Sequence, residues 1–174
     1  MKLIVIDMQK ILMNPMLYEF EKFKENVSKL IAEARKNNVE VIYFKHDAGA
    51  GTGLSVGDVG FEIDPIVLPM EGEKVYVKKI NSCFGNKEFS KYLSDSGEKD
   101  LMIVGLQTDF CIDSTIKSAF EKGYNVYVPE HTNSTFPNQI IDGEMVYKFY
   151  NEWVWPGAFA KCISLKEAIK LLKK

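Results

Sequence analysis

The stretch Leu101-Met-Ile-Val-Gly-Leu-Gln-Thr-Asp-Phe-Cys111 decides how the rest of the chain is read. Leu101 to Val104 is a continuous apolar run, the pattern of a strand buried on both faces. Gly105 breaks the run. Beyond it the period changes, and Ile112, Ile116, Ala119 and Phe120 fall on one face of a helix. Thr108 or Asp109 is suited to cap that helix. Cys111 therefore lies in or near the first helical turn, just past the carboxyl end of a strand. Ligands gather at such strand ends in open α/β sheets. The positive end of a helix favours a thiolate and so lowers a thiol pKa. Cysteine also serves as a small buried hydrophobe, so position alone leaves a nucleophile and a core residue both open.

Working outward, strand and helix signals alternate. Leu3 to Ile6 is a short apolar run ending at Asp7. Residues 18–37 form an amphipathic helix with Phe20, Phe23, Val27, Leu30, Ile31 and Ala34 on one face, and Asn37-Asn38 ends it. Val39 to Phe44 is a second strand, followed by a long loop holding Gly49, Gly51, Gly53 and Gly57. Lys74 to Val77 is a third strand, and Asn86 caps a short helix reaching Leu93. Asn125 to Val128 and Lys161 to Ile163 are the fifth and sixth strands. Ser164-Leu-Lys-Glu167 is a capping box opening a final helix. Alternation of this kind implies right-handed βαβ crossovers. The expected fold is α/β, one doubly wound domain over residues 1–174, with a parallel sheet of about six strands flanked by helices.

Composition narrows the partners. Lys and Arg number 22 against 24 Asp and Glu, a net charge of −2 with both signs mixed along the chain, which is no nucleic-acid footprint. No apolar run approaches the ~18 residues of a membrane span. The first strand begins at the N-terminus and leaves no room for a signal peptide, and three cysteines form an odd, sparse set, so reduced thiols in a cytoplasm are expected. Gly49-Ala-Gly-Thr-Gly53 matches no phosphate-binding motif and reads as a flexible lid. The expected partner is a small molecule.

In a parallel sheet the residues after each strand meet at one edge. Asp7, His46 with Asp47, Lys78 with Lys79, Gln107 to Cys111, and Glu130 with His131 are those residues. An acid, a lysine and a cysteine together are the parts of thiol nucleophilic catalysis. Alternation along an extended chain turns Lys78 and Lys79 to opposite sides.

Three motifs in order resemble the isochorismatase-like cysteine hydrolases, a superfamily that includes nicotinamidases and N-carbamoylsarcosine amidases. They are Val5-Ile-Asp-Met-Gln9, Val77-Lys-Lys-Ile-Asn-Ser-Cys-Phe84 and Gly105-Leu-Gln-Thr-Asp-Phe-Cys-Ile112. The likeness runs from the N-terminus to about Thr135. It implies a Rossmann-type three-layer fold, a catalytic triad of Asp7, Lys78 and Cys111, and a cis peptide at Leu106–Gln107. It also implies an oxyanion hole formed by the backbone N–H groups of Gln107 and Cys111. Lys78 is chosen over Lys79 because the family's lysine lies six residues before the phenylalanine, here Phe84. Gln9, Phe84 and Phe110, which lie in the motifs, and His46 are the candidate pocket residues. The implied reaction is cleavage of a small amide, ureido or imide-like substrate through a thioester. Vinyl ether hydrolysis of the isochorismatase type, and a non-catalytic or redox-sensing protein, are the rivals.

The chain also departs from the family. Its nicotinamidases carry an Asp-x-His metal site with a second histidine downstream, whereas Phe44-Lys-His-Asp-Ala has one histidine, and zinc sites use three or four protein ligands. No metal and no cofactor are expected. Glu130-His131 stands where the family has Asp-Ala, and Glu130 reads as structural. Cys83 and Cys162 read as packing residues. Trp153 and Trp155 belong either to the core or to a subunit interface, and the resemblance implies a dimer or larger homo-oligomer.

Overall fold

The structure, a computed structural model, describes residues 1–173. Among these residues seven strands form one sheet: β1 (Lys2–Ile6), β2 (Glu40–His46), β3 (Lys74–Lys78), β4 (Asp100–Leu106), β5 (Asn125–Pro129), β6 (Asn133–Ser134) and β7 (Lys161–Ile163). Their order is β3-β2-β1-β4-β5-β7, and every pairing is parallel. The five α-helices are α1 (Phe20–Lys36), α2 (Lys87–Asp95), α3 (Asp113–Glu121), α4 (Gly143–Lys148) and α5 (Leu165–Leu172). The chain builds outward from β1 to β3, then crosses back to lay β4 on the other side of β1. That reversal puts the topological switch point, where doubly wound sheets open a crevice, between β1 and β4.

Side-chain alternation sorts the central strands into two cores. Leu3 and Val5 of β1 and Met102 and Val104 of β4 pack with Phe23, Val27, Leu30 and Ile31 of α1 and with Ala168 and Leu172 of α5. Ile4, Ile6, Leu101 and Ile103 pack on the other face with Phe89 and Leu93 of α2 and Ile116 and Ala119 of α3. Strands buried on both faces explain why β1 and β4 read as unbroken apolar runs. Trp155 is fully buried in the second core, where its indole N–H donates to Asp113 Oδ1 at 2.9 Å, whereas Trp153 is exposed. Ser164 and Glu167 form the expected capping box on α5, and Asn86 Oδ1 caps α2 by accepting from Phe89 N–H.

Some sequence expectations give way. Gly105 does not end its strand: β4 runs through it to Leu106, with Gly105 at φ 121°. A Cβ there would collide with the Ile6 carbonyl oxygen and its neighbouring backbone atoms on β1. The glycine therefore serves close strand approach, not termination. Neither Thr108 nor Asp109 caps a helix. Thr108–Ile112 form a π-helical turn ahead of α3, Thr108 Oγ1 donates to Asn133 Oδ1 at 2.7 Å, and Asp109 Oδ1 accepts from Thr135 Oγ1 at 2.6 Å. Phe120 leaves the helical stripe and packs edge-on against Phe159 at the surface. The two-residue β6 pairs with Gly105 and Leu106, extending the sheet beside the end of β4 where β5 has already diverged.

Gly105→Ala should be severely destabilising, on the order of 3 kcal/mol or more, because it combines a backbone collision with a φ that L-residues rarely adopt. Urea unfolding followed by circular dichroism should show a large fall in midpoint. An unchanged midpoint would mean that β1 and β4 can separate without cost.

Candidate functional site

The carboxyl edge of the sheet brings three chemically active side chains into contact. Asp7 follows β1 in the left-handed region, at φ 54°, where Asp is among the better tolerated residues. Its N–H donates to Phe44 O on β2 at 3.0 Å, which fixes the turn. Lys78 ends β3, an edge strand whose Tyr76 and Lys78 point inward while Val75 and Val77 are half-exposed. The neighbouring Lys79 faces solvent, so the alternation that separated the two lysines holds. Cys111 sits in the π-helical turn after β4. Such turns recur at functional sites because they re-aim side chains that an α-helix would place elsewhere.

Lys78 Nζ lies 2.7 Å from Asp7 Oδ2, 3.1 Å from Cys111 Sγ and 3.1 Å from His46 Nδ1. An ammonium has three N–H donors and no acceptor. The three neighbours therefore all accept, and His46 carries its proton on Nε2. A buried lysine is costly unless paired and fully hydrogen-bonded, and here every proton has a partner. Burial pulls the Lys78 pKa down, but Asp7 and Cys111 outweigh it and hold the ammonium above its ordinary value. Burial pushes the Asp7 carboxyl up, against the Lys78 charge. Burial and the adjacent ammonium push His46 down, which keeps the imidazole neutral.

The thiol departs from expectation. Burial, and after it the Asp7 carboxylate, push Cys111 up to about 12, and the opposing pull of Lys78 does not restore it. Placement in a helical first turn, which would favour the thiolate, is overridden by desolvation. The resting nucleophile is a neutral thiol beside a carboxylate. Asp7 Oδ1, buried and without a hydrogen-bond partner, is free to take a proton.

A cavity of about 260 Å³ opens on these groups. It is lined by Asp7, Leu12, His46, Leu54, Asn81, Gln107, Phe110 and Cys111. Larger hollows, of about 450 and 400 Å³, lie beside Phe120–Phe159 and His131–Tyr147, away from the thiol. The peptide between Leu106 and Gln107 is cis. Of the candidate pocket residues, His46 and Phe110 line the cavity but Gln9 and Phe84 do not. Gln9 is fully buried. Its amide donates to the carbonyls of His46 and Phe61 and accepts from His46 N–H, so it clamps backbone. Phe84 packs between Phe89 and Tyr124 in the second core. Asn81, Leu12 and Leu54 are lining residues that sequence reasoning missed. Asn81 lay inside the lysine motif, but nothing in its spacing distinguished it. Glu130 Oε1 accepts from Leu165 N–H and His131 stacks on Tyr147, both structural roles. Cys83 is fully buried against Thr115, and Cys162 is half-buried at the edge of the same core.

Donor atoms of Asp7, His46 and Cys111 lie within 4.8 Å of one another, a spacing a metal ion could use. All three already face the Lys78 ammonium. A divalent ion among them would meet a like charge at a few ångströms in a buried setting, so the donor set fits the lysine and not a metal.

Comparison with known proteins gives a consistent picture. Residues 2–141 match the model of the isochorismatase domain. The isochorismatase family protein YddQ of Bacillus subtilis is 32% identical over 124 residues, 70% of this chain and 69% of that protein. Nicotinamidase 3 of Arabidopsis thaliana is 24% identical over 158 residues, covering 83% and 78%. The crystal structure of an isochorismatase family protein superposes with a TM-score of 0.84 at 25% identity, covering 92% of this chain and 96% of the other.

Cys111 should alkylate slowly with iodoacetamide at pH 7 and accelerate steeply as pH rises toward 12. Asp7→Asn keeps a residue type that tolerates the left-handed turn and removes the charge that raises the thiol pKa. Its Cys111 should react faster at pH 8, because loss of the carboxylate charge lowers the thiol pKa and raises the thiolate fraction. Mass-spectrometric mapping of each cysteine checks this, and an Asp7→Asn rate equal to or below wild type would contradict the assigned electrostatics.

Proposed function

Because the chain belongs to the isochorismatase family, we propose that it is a metal-independent cysteine hydrolase that cleaves a C–N bond of a small amide, ureido or imide-like substrate through a Cys111 thioester. The observation that carries this reading is the buried Lys78 ammonium held between Asp7 and Cys111, both of which line a cavity. Nicotinamidase 3, by its name an amide hydrolase, lends support.

The mechanism follows from the resting charges. Asp7 takes the thiol proton as Cys111 Sγ attacks the substrate carbonyl carbon, and Lys78 stabilises the sulfur as it gains charge. The N–H groups of Gln107 and Cys111 hold the developing oxyanion. When the intermediate collapses, the C–N bond breaks and Asp7 returns the proton to the leaving nitrogen. Water then attacks the thioester and gives a proton to Asp7. The second collapse breaks the C–S bond, the sulfur regains that proton, and the acid departs. A thiol near pKa 12 makes the base indispensable, since almost none is ionised at neutral pH. Asp7, pushed up by burial, is a stronger base than a surface carboxylate.

The same reading includes a small-molecule substrate, a cytoplasmic setting and a homo-oligomer. The three unpaired thiols support the second and the exposed Trp153 the third. Among the described residues no helix is long and apolar enough to cross a membrane.

Cys111→Ala and Cys111→Ser should fold normally and lose at least about 10³-fold in amine or ammonia release from amide and ureido substrates. Vinyl ether hydrolysis needs the acid and not the thiol. A wild-type protein that cleaves only a vinyl ether, with Cys111→Ala equally active, would replace the present reading with that one.

A further inference from the structure

The walls of the cavity carry information about substrate charge. Behind the thiol, Asp7, Lys78 and Cys111 together are neutral, as one carboxylate, one ammonium and one thiol. The Lys78 charge is not available to a ligand, because its three N–H groups are directed to Asp7, His46 and Cys111. None of the eight lining residues is a lysine or arginine. Lys79, the nearest cation in sequence, extends into solvent toward Asp47. The remaining polar groups are uncharged. His46 presents an N–H at Nε2, because Nδ1 accepts from Lys78, and that nitrogen has no protein partner among the described residues and is not sealed from solvent. Asn81, exposed at the rim, has its Oδ1 3.8 Å from Cys111 Sγ and an amide NH₂ without a protein partner. Gln107 adds a further uncharged amide, whose Oε1 accepts from Thr135 Oγ1 at 3.4 Å, and Leu12, Leu54 and Phe110 supply the apolar remainder.

We propose that the site selects small uncharged amides or ureides over carboxylate-bearing ones, with His46 Nε2–H and the Asn81 amide as the groups that recognise the substrate's neutral polar end. A carboxylate drawn into this cavity would lose water and meet a wall that is neutral overall, with no cationic N–H left over to bond it, and an unpaired buried charge is strongly penalised. An uncharged carbonyl or amide finds a donor at His46 and both a donor and an acceptor at Asn81. At about 260 Å³ the cavity lies just below the range typical of drug-sized ligands, so a second functional group on the substrate stays close to these walls. This selectivity rests on the cysteine-hydrolase reading above, and the test separates the two.

The test uses isosteric pairs that differ only in the charge of the far polar end: succinamide against succinamate, and N-carbamoylglycinamide against N-carbamoylglycine. Ammonia or amine release gives kcat/KM, and protection of Cys111 from iodoacetamide gives binding without turnover. The expected result is hydrolysis of the neutral member of each pair with the carboxylate at least about 100-fold poorer. Asn81→Leu should then lose about tenfold on the neutral probe, the size of one hydrogen bond to a neutral group. Asn81→Arg should shift preference toward the carboxylate by tenfold or more. Carboxylates hydrolysed as well as their neutral partners would overturn the selectivity and leave the cysteine hydrolase standing. If neither member is hydrolysed, the hydrolase reading fails on these probes and protection decides the selectivity. Protection by neutral probes alone supports it. Equal protection by both members, or by neither, overturns it.

Discussion

A buried ammonium that must satisfy three protons organises this molecule's chemistry. Lys78 cannot sit in a dry interior unless every N–H has an acceptor, and the acceptors it finds come from the ends of three other segments: Asp7 after β1, His46 at the end of β2 and Cys111 beyond β4. One cation thereby fixes the tautomer of a histidine, the direction of a carboxylate and the place of a thiol. The same requirement makes the site neutral as a whole and leaves its lysine unable to serve a ligand directly.

The sheet makes that convergence cheap. Strand order places β1 and β4 side by side at the switch point, so Asp7 and the turn carrying Cys111 straddle the crevice without long loops. Register does the rest: His46 pairs with Lys78, and Ile6 pairs with both Phe44 and Gly105. The strands therefore end at nearly one level. Gly105 belongs to this arrangement, because only a residue without a side chain lets β4 pass so close to the Ile6 carbonyl immediately before the turn that aims Cys111.

What the sequence disclosed follows from what periodicity can see. Strand ends are located by where apolar runs stop, and Asp7, Lys78 and Cys111 each lie at or just beyond such an end, so topology alone gathers them. The capping box at Ser164 and the cap at Asn86 are local devices and were equally legible. Gln9 and Phe84 were misjudged because their partners come from distant segments, Phe61 for the one and Tyr124 for the other. Asn81 and Leu54 reach the cavity only through loop shapes that no period encodes. The thiol was misjudged for a different reason. A helical first turn is visible in sequence, but desolvation and a carboxylate contributed from 104 positions away are not, and they are the larger effects here.

The clamp made by Gln9 has a wider bearing. Its single side chain ties His46, where β2 ends, to Phe61, where the glycine-rich stretch rejoins the body. The intervening segment is thus a closed excursion with both feet nailed down, internally braced by Asp47 and Asp58 through Ser55. Substitutions or length changes within it can reshape the wall that Leu54 contributes while the reacting atoms stay where they are. In evolutionary terms the fold separates a heritable reaction from a tunable appetite, and the span between those two feet is where descendants of this chain can acquire new diets without relearning the chemistry.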